Sequence, residues 1–189
     1  MVDFSAARLN MVDSQVRTND VTDVRVQDAM RVIPRESLIP PAKAYLAYAD
    51  AEVEYAPGRW MLAPRDVGKL LHALAIQPGE RALAIAAPYG AAVLEHAGLK
   101  VSRLDGEDLK TLPTGEFDVM ICEGAVARAP ESWTAALAPG GRLAVIERAG
   151  PVGKATLYAR TETGLARREI FDATPRHLAG FEPEQGFAF

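Results

Sequence analysis

The chain holds a single cysteine, Cys122, in 189 residues. One thiol excludes an internal disulfide and leaves no cysteine cluster for zinc. Histidine is scarce too. His72, His96 and His177 are scattered and form no H-E-x-x-H pattern, so no metal site is expected. Basic charge is not in excess: 21 Lys and Arg against 25 Asp and Glu give a net charge of −4, which argues against a nucleic-acid partner. No apolar run approaches the roughly 20 residues of a membrane-spanning helix. The start Met1-Val2-Asp3-Phe4-Ser5 has neither the basic nor the apolar part of a secretory leader. A cytoplasmic protein without a membrane partner is therefore the expectation. Internal repeats and low-complexity tracts are absent as well.

What is present is an ordinary globular composition, 49% hydrophobic and 24% charged. The length predicts one domain over 1–189, with a helical N-terminal region over 1–56 and an α/β core over 57–189. Apolar residues at Ala7, Leu9, Met11, Val12 and Val16 predict a helix over 5–18. Thr22 is placed to cap a second helix that Pro34 stops. Pro64 opens a third, with Val67, Leu70, Leu71 and Leu74 on one face.

Then the pattern changes. Residues 81–87 form a short apolar run, the mark of a buried parallel strand. A helix over 91–97, a weak strand over 99–104 and a strong strand over 117–122 follow. A helix over 130–137 with Pro139-Gly140-Gly141 as its stop leads to a strand over 142–147. Segments 155–160 and 166–171 flank Thr161-Glu162-Thr163-Gly164, a hairpin turn. Alternating strands and helices with a terminal hairpin predict a three-layer α/β fold, with any ligand at the carboxyl ends of the strands.

Several strings together resemble the protein-L-isoaspartate O-methyltransferase family. They are Gln15-Val16-Arg17, Asp28-Ala29-Met30 and the run from Pro34 to Pro40; then Ala44-Tyr45 through Asp50 and the run from Gly58 to Pro64. Phe117-Asp118, Gly124-Ala125-Val126, the run from Leu137 to Leu143, and the ending from Gly180 to Phe189 complete the series. The resemblance covers nearly the whole chain. It implies a Rossmann-like class I methyltransferase sheet with a C-terminal antiparallel hairpin. It also implies S-adenosylmethionine as cofactor, and methylation of the carboxylate of damaged isoaspartyl residues.

Three departures fall at the implied site. The family's loop after its first parallel strand reads acid-x-Gly-x-Gly-x-Gly, whose glycines let backbone approach the cofactor. Here the acid position is Ala84, the first glycine is Ala86 and the second is Pro88; only Gly90 survives, and the loop is shortened. The second departure is length. The stretch 87–116 has 30 residues, whereas a helix, strand, helix, strand and helix need about 50 or more. One βα unit is therefore predicted to be missing at the sheet edge. The third is Leu62, at the position where the family carries a Ser or Thr hydroxyl near the accepting carboxylate. An apolar side chain there supplies no hydrogen bond, so no catalytic residue is assigned.

The resemblance leaves Ala86, Gly90, Asp105 and Glu123 as candidates at a degenerate cofactor site. Asp105 fits three roles: the acid that binds ribose hydroxyls at the end of the second strand, the acid-Gly string one strand later, or a solvated turn residue. Glu123, after the predicted end of its strand, fits a ligand contact or a loop acid facing water, with water favoured. Cys122 reads as a small buried hydrophobe, His96 as exposed or packed, and Arg167-Arg168 as edge charges that deter strand addition. Phe181, Phe187 and Phe189 are expected to fold back onto the sheet. The leading expectation is a pseudoenzyme of this family, weak or inactive in methyl transfer and serving as an interaction or regulatory module, as a homodimer or with a protein partner. The alternatives are an active S-adenosylmethionine-dependent O-methyltransferase with an altered acceptor, and a remodelled cleft for another ligand such as a nucleotide.

Overall fold

A computed structural model describes residues 3–184. Asp3 caps α1 (Phe4–Met11), its carboxylate accepting from the amides of Ser5 and Ala6. The helix predicted over 5–18 does not run on. It widens to a π-turn over Val12–Val16 and tightens to a 3-10 turn over Arg17–Asn19. There the hydroxyls of Ser14 and Thr18 donate to the carbonyls of Asn10 and Ser14, the local competition that such side chains offer a helix. The cap of α2 (Val24–Val32) is Asp23 and not Thr22, because the Asp23 carboxylate accepts from the Arg25 amide.

A hairpin of β1 (Val53–Ala56) and β2 (Arg59–Met61), unpredicted, turns at Gly58 with φ +68°. The boundary drawn at 56/57 falls inside this turn. Pro64 starts α3 (Pro64–Ala73) as its sequence predicts. The main sheet comprises β3 (Arg81–Ile85), β4 (Lys100–Leu104), β5 (Phe117–Val126), β6 (Leu137–Glu147), β7 (Gly153–Thr161) and β8 (Gly164–Ala173). Its order is β4-β3-β5-β6-β7-β8, parallel up to β6 and antiparallel beyond. Residues 105–116, between β4 and β5, contain neither helix nor strand. β4 is therefore the edge, and the sheet lacks the strand that the length arithmetic removes.

Two boundaries differ from expectation. The helix α5 (Glu131–Ala135) stops early because Leu137 already pairs with Phe117, and Pro139-Gly140-Gly141 lies within β6, where its pairing with β5 shifts register. β5 does not end at Cys122 but continues to Val126.

The sheet separates two apolar clusters. Ala82, Ala84, Val119, Ile121, Ala144 and Ile146 face α3, α4 (Pro88–His96) and the N-terminal helices. Leu83, Ile85, Met120, Cys122, Leu143 and Val145 face a thinner layer made by α5, the loop 105–116 and the segment after β8. In that layer Phe181 packs on Trp133 with ring centroids 5.4 Å apart. Phe187 and Phe189 lie outside the described residues. Among the described residues no helix is long and apolar enough to cross a membrane.

Candidate functional site

In an open parallel sheet the ligand crevice lies beyond the strand carboxyl ends, where the winding of the chain reverses. The chain runs from β3 outward to β4 and returns to β5 on the other flank of β3, so the reversal falls between β3 and β5. Ile85 at the end of β3 stands opposite Cys122.

The turn leaving β3 goes almost directly into α4. Ala86, Ala87 and Pro88 are buried, and the Ala86 amide donates to the Leu104 carbonyl at 2.8 Å. Ala86 has φ +46°, a left-handed conformation that costs a residue with a Cβ about 1–2 kcal/mol. The turn thus keeps a shape suited to glycine while carrying a methyl group. Gly90 is an ordinary helical residue one turn on. A Cβ on it would meet Ile121 Cδ1 at 3.3 Å and Glu123 Oε1 at 3.4 Å.

Glu123 is not a loop acid facing water. Its relative exposure is 0%. The pairing of β5 with β6 shifts register between Ile121 and Ala125, and Gly124 adopts φ +123°. Such a bulge re-aims the side chain beside it. Glu123 Oε1 accepts from the Gly90 amide at 2.7 Å and Oε2 from the Leu62 amide at 3.0 Å. Burial pushes this carboxyl above its ordinary range, against the opposing pull of the Gly90, Leu62 and Tyr89 amides and of the Arg35 charge.

Arg35 is as deeply buried as Glu123. It donates from Nε to the Ala47 carbonyl at 2.8 Å and from Nη2 to the Leu62 carbonyl at 2.9 Å. Its guanidinium carbon sits 4.4 Å from the centroid of the Tyr89 ring. Among the described residues, Arg35 Nη1 and the Tyr89 hydroxyl are buried without a hydrogen-bond partner. The side chain of Leu62 belongs to the apolar core, while its amide and carbonyl serve Glu123 and Arg35.

The mouth of the crevice is roofed. The Tyr55 hydroxyl donates to Asp105 at 2.8 Å, and Arg59 Nη2 donates to the Gly106 carbonyl at 2.7 Å, so the β1–β2 hairpin is strapped to the end of β4. Residues 176–178 pair with Ala125 beyond the end of β3 through two backbone bonds of 2.8 Å. Arg176 stacks on Trp60 at 3.9 Å and its amide donates to Glu52, tying that segment to the hairpin.

Of the four predicted residues, Gly90 and Glu123 are brought into contact. Ala86 is buried in the turn between β3 and α4. Asp105 is exposed just after β4 and engaged by Tyr55. It borders a cleft of about 370 Å³ shared with Pro57, Arg59 and Ala179, which neither Ala86, Gly90 nor Glu123 lines. Burial pushes the Cys122 thiol up, consistent with an inert core residue. Arg35 and the hairpin residues Arg59 and Trp60 lie in the runs that carry the resemblance, but neither they nor Tyr89 are among the sequence's site candidates. A buried arginine has no signature in one sequence that separates it from a surface one. Among the described residues no group of His, Cys, Asp and Glu could hold a metal ion.

A family model described as protein-L-isoaspartate(D-aspartate) O-methyltransferase matches residues 7–106. A protein-L-isoaspartate O-methyltransferase of Methylorubrum extorquens (strain PA1) is 32% identical over 92% of this chain and 87% of its own length. One from Methylorubrum populi is 32% identical over 90% of this chain and 92% of its own. Among solved structures, a protein-L-isoaspartate O-methyltransferase superposes with a TM-score of 0.73 at 18% identity, covering 93% of this chain and 67% of that one. A putative enzyme of the same description from Plasmodium falciparum, in complex with S-adenosyl-L-homocysteine, superposes with a TM-score of 0.69 at 16% identity, covering 90% and 97%.

Proposed function

Because the chain belongs to the protein-L-isoaspartate O-methyltransferase family, whose members imply S-adenosylmethionine chemistry, we propose that this member transfers methyl groups weakly or not at all and acts as an interaction or regulatory module. One observation carries the reading: the fully buried carboxylate of Glu123 is bonded to the amides of Gly90 and Leu62 at the strand ends where a ligand would seat. The residues present do not fit the cofactor. Ala86 and Pro88 put side-chain atoms into the turn that must approach it, Glu123 fills the space over Gly90, and the hairpin and residues 176–178 cover the mouth. A carboxylate-recognising hydroxyl is also missing, because Leu62 presents a core side chain. A partner protein or a second copy of the chain is the proposed target.

The experiment is a thermal melt with S-adenosylmethionine, paired with a methyl-transfer assay on an isoaspartyl peptide. The expected result is no shift and no transfer above background. A ligand at a hundred times its Kd stabilises by about 2.7 kcal/mol, roughly 5–10 °C for a chain of this size, and such a shift would overturn the proposal. The 32% identity to relatives named as enzymes supports a second reading, an active S-adenosylmethionine-dependent O-methyltransferase with an altered acceptor. That reading requires the melt to shift.

A further inference from the structure

A carboxylate that contributes only packing has no reason to be taken out of water. Removing a charge from solvent costs several kcal/mol unless fixed donors replace the lost hydration. Glu123 meets donors that offset part of that cost. The Gly90 amide lies in the first turn of α4, where backbone N–H groups lack helical partners and the helix dipole favours negative charge. The Leu62 amide comes from a different element, just after β2, and takes the second oxygen. Arg35, fully buried against the Tyr89 ring, donates to the carbonyl of the same Leu62 whose amide serves Glu123, and among the described residues its Nη1 and the Tyr89 hydroxyl have no hydrogen-bond partner. The converging amides of Gly90 and Leu62, with the buried Arg35 bonded to the carbonyl of the same Leu62, make a carboxylate receptor assembled from three separate places in the chain.

From this arrangement we infer that the crevice between β3 and β5 is a binding site for a small monocarboxylate that the chain occupies itself, with Glu123 as the built-in ligand. Removal of that side chain converts the site into one that takes a carboxylate from solution. The inference rests on the reading of a crevice filled by the protein's own side chains, and it deepens that reading by naming the ligand chemistry the filled site retains.

The test uses the full chain carrying Glu123→Ala, with sodium acetate as the probe and sodium chloride at equal ionic strength as the control, near pH 6. Acetate raises the Tm of E123A saturably, by about 3–6 °C at ten times its Kd. Wild type and Glu123→Gln, whose side chains still fill the site, show no acetate-specific shift. If E123A does not fold in chloride, recovery of the native near-UV signal in acetate reads the same property. Equal melting of E123A in the two salts overturns the inference. So does a lack of acetate-dependent recovery, or an equal acetate shift in wild type. The two readings fail separately: a melt of wild type that rises with S-adenosylmethionine sinks the closed cofactor site, whereas the acetate response of E123A sinks or sustains only the carboxylate site.

Discussion

Glu123 and Glu147 sit near the carboxyl ends of adjacent strands, and their surroundings push them in opposite directions. For Glu123, burial prevails over its amides and Arg35, so its carboxyl stands above 4.5 in the fold. For Glu147, burial also pushes upward, but the Ala129 amide, the Tyr158 hydroxyl and Arg167 more than offset it and hold the carboxyl below 4.5. The linkage signs follow. A group raised on folding binds its proton more tightly in the native state, so ionising Glu123 costs stability as pH rises past its unfolded value. A group lowered on folding adds stability above its unfolded value and loses it as pH falls through its folded one. Urea midpoints measured from about pH 3 to pH 8 should therefore diverge. Relative to wild type, Glu123→Gln gains stability as pH rises and Glu147→Gln loses it; parallel slopes for the two variants would contradict the assignment. Glu123 was legible as a residue at the strand ends but not as a buried one. In sequence a Glu-Gly pair after an apolar run reads as a loop, and only the bulge at Gly124 keeps it in the strand.

At the scale of elements, β5 and the segment after β8 depend on one another. Leu178 donates to the Ala125 carbonyl at 2.8 Å, and the strand can present that carbonyl only because it continues past Cys122. Gly124 makes the approach possible. Its φ of +123° disfavours any L side chain, and a Cβ there would meet Leu178 Cδ2 at 2.8 Å. Gly124→Ala is expected to cost about 2–3 kcal/mol in chemical denaturation. Amide exchange at Arg176–Leu178 should also rise more than exchange in the centre of β3. Unchanged exchange at those residues would show that the segment does not rely on this contact. The same dependence explains the boundary errors. The short α5 and the early start of β6 come from pairing of Leu137 with Phe117, a contact between residues distant in sequence that periodicity does not register.

Over the whole molecule, the N-terminal helices are not an appendage. Met11, Val12, Val16, Val26, Ala29 and Met30 are all buried in the same apolar cluster as Ala84, Val93, Ile121 and Ile146 of the sheet and α4. Burial of a large aliphatic side chain contributes about 1.5–3 kcal/mol, so losing several exceeds the net stability of an ordinary domain. Deletion of residues 1–33 should abolish the cooperative thermal transition, read by near-UV circular dichroism. A truncated chain that still melts cooperatively would mean the sheet core stands alone. The opposite face is covered more thinly, because the segment that would carry a further strand and helices is reduced to the loop 105–116.

The sequence alone determined the order of strands and helices from α3 onward, the terminal hairpin, the absence of a further strand between β4 and β5, and the non-glycine residues Ala86 and Pro88 in the turn after β3. Each of these is written in local apolar patterns, in turn residues or in a count of positions. What only the tertiary structure decided is what surrounds the turn between β3 and α4: Glu123 turned inward onto Gly90 and Leu62, Arg35 buried against Tyr89, and the hairpin and residues 176–178 laid across the mouth. Those contacts join residues up to 124 positions apart, as with Glu52 and Arg176. Their energies come from desolvation and donor geometry, which exist only once the sheet has brought the groups together.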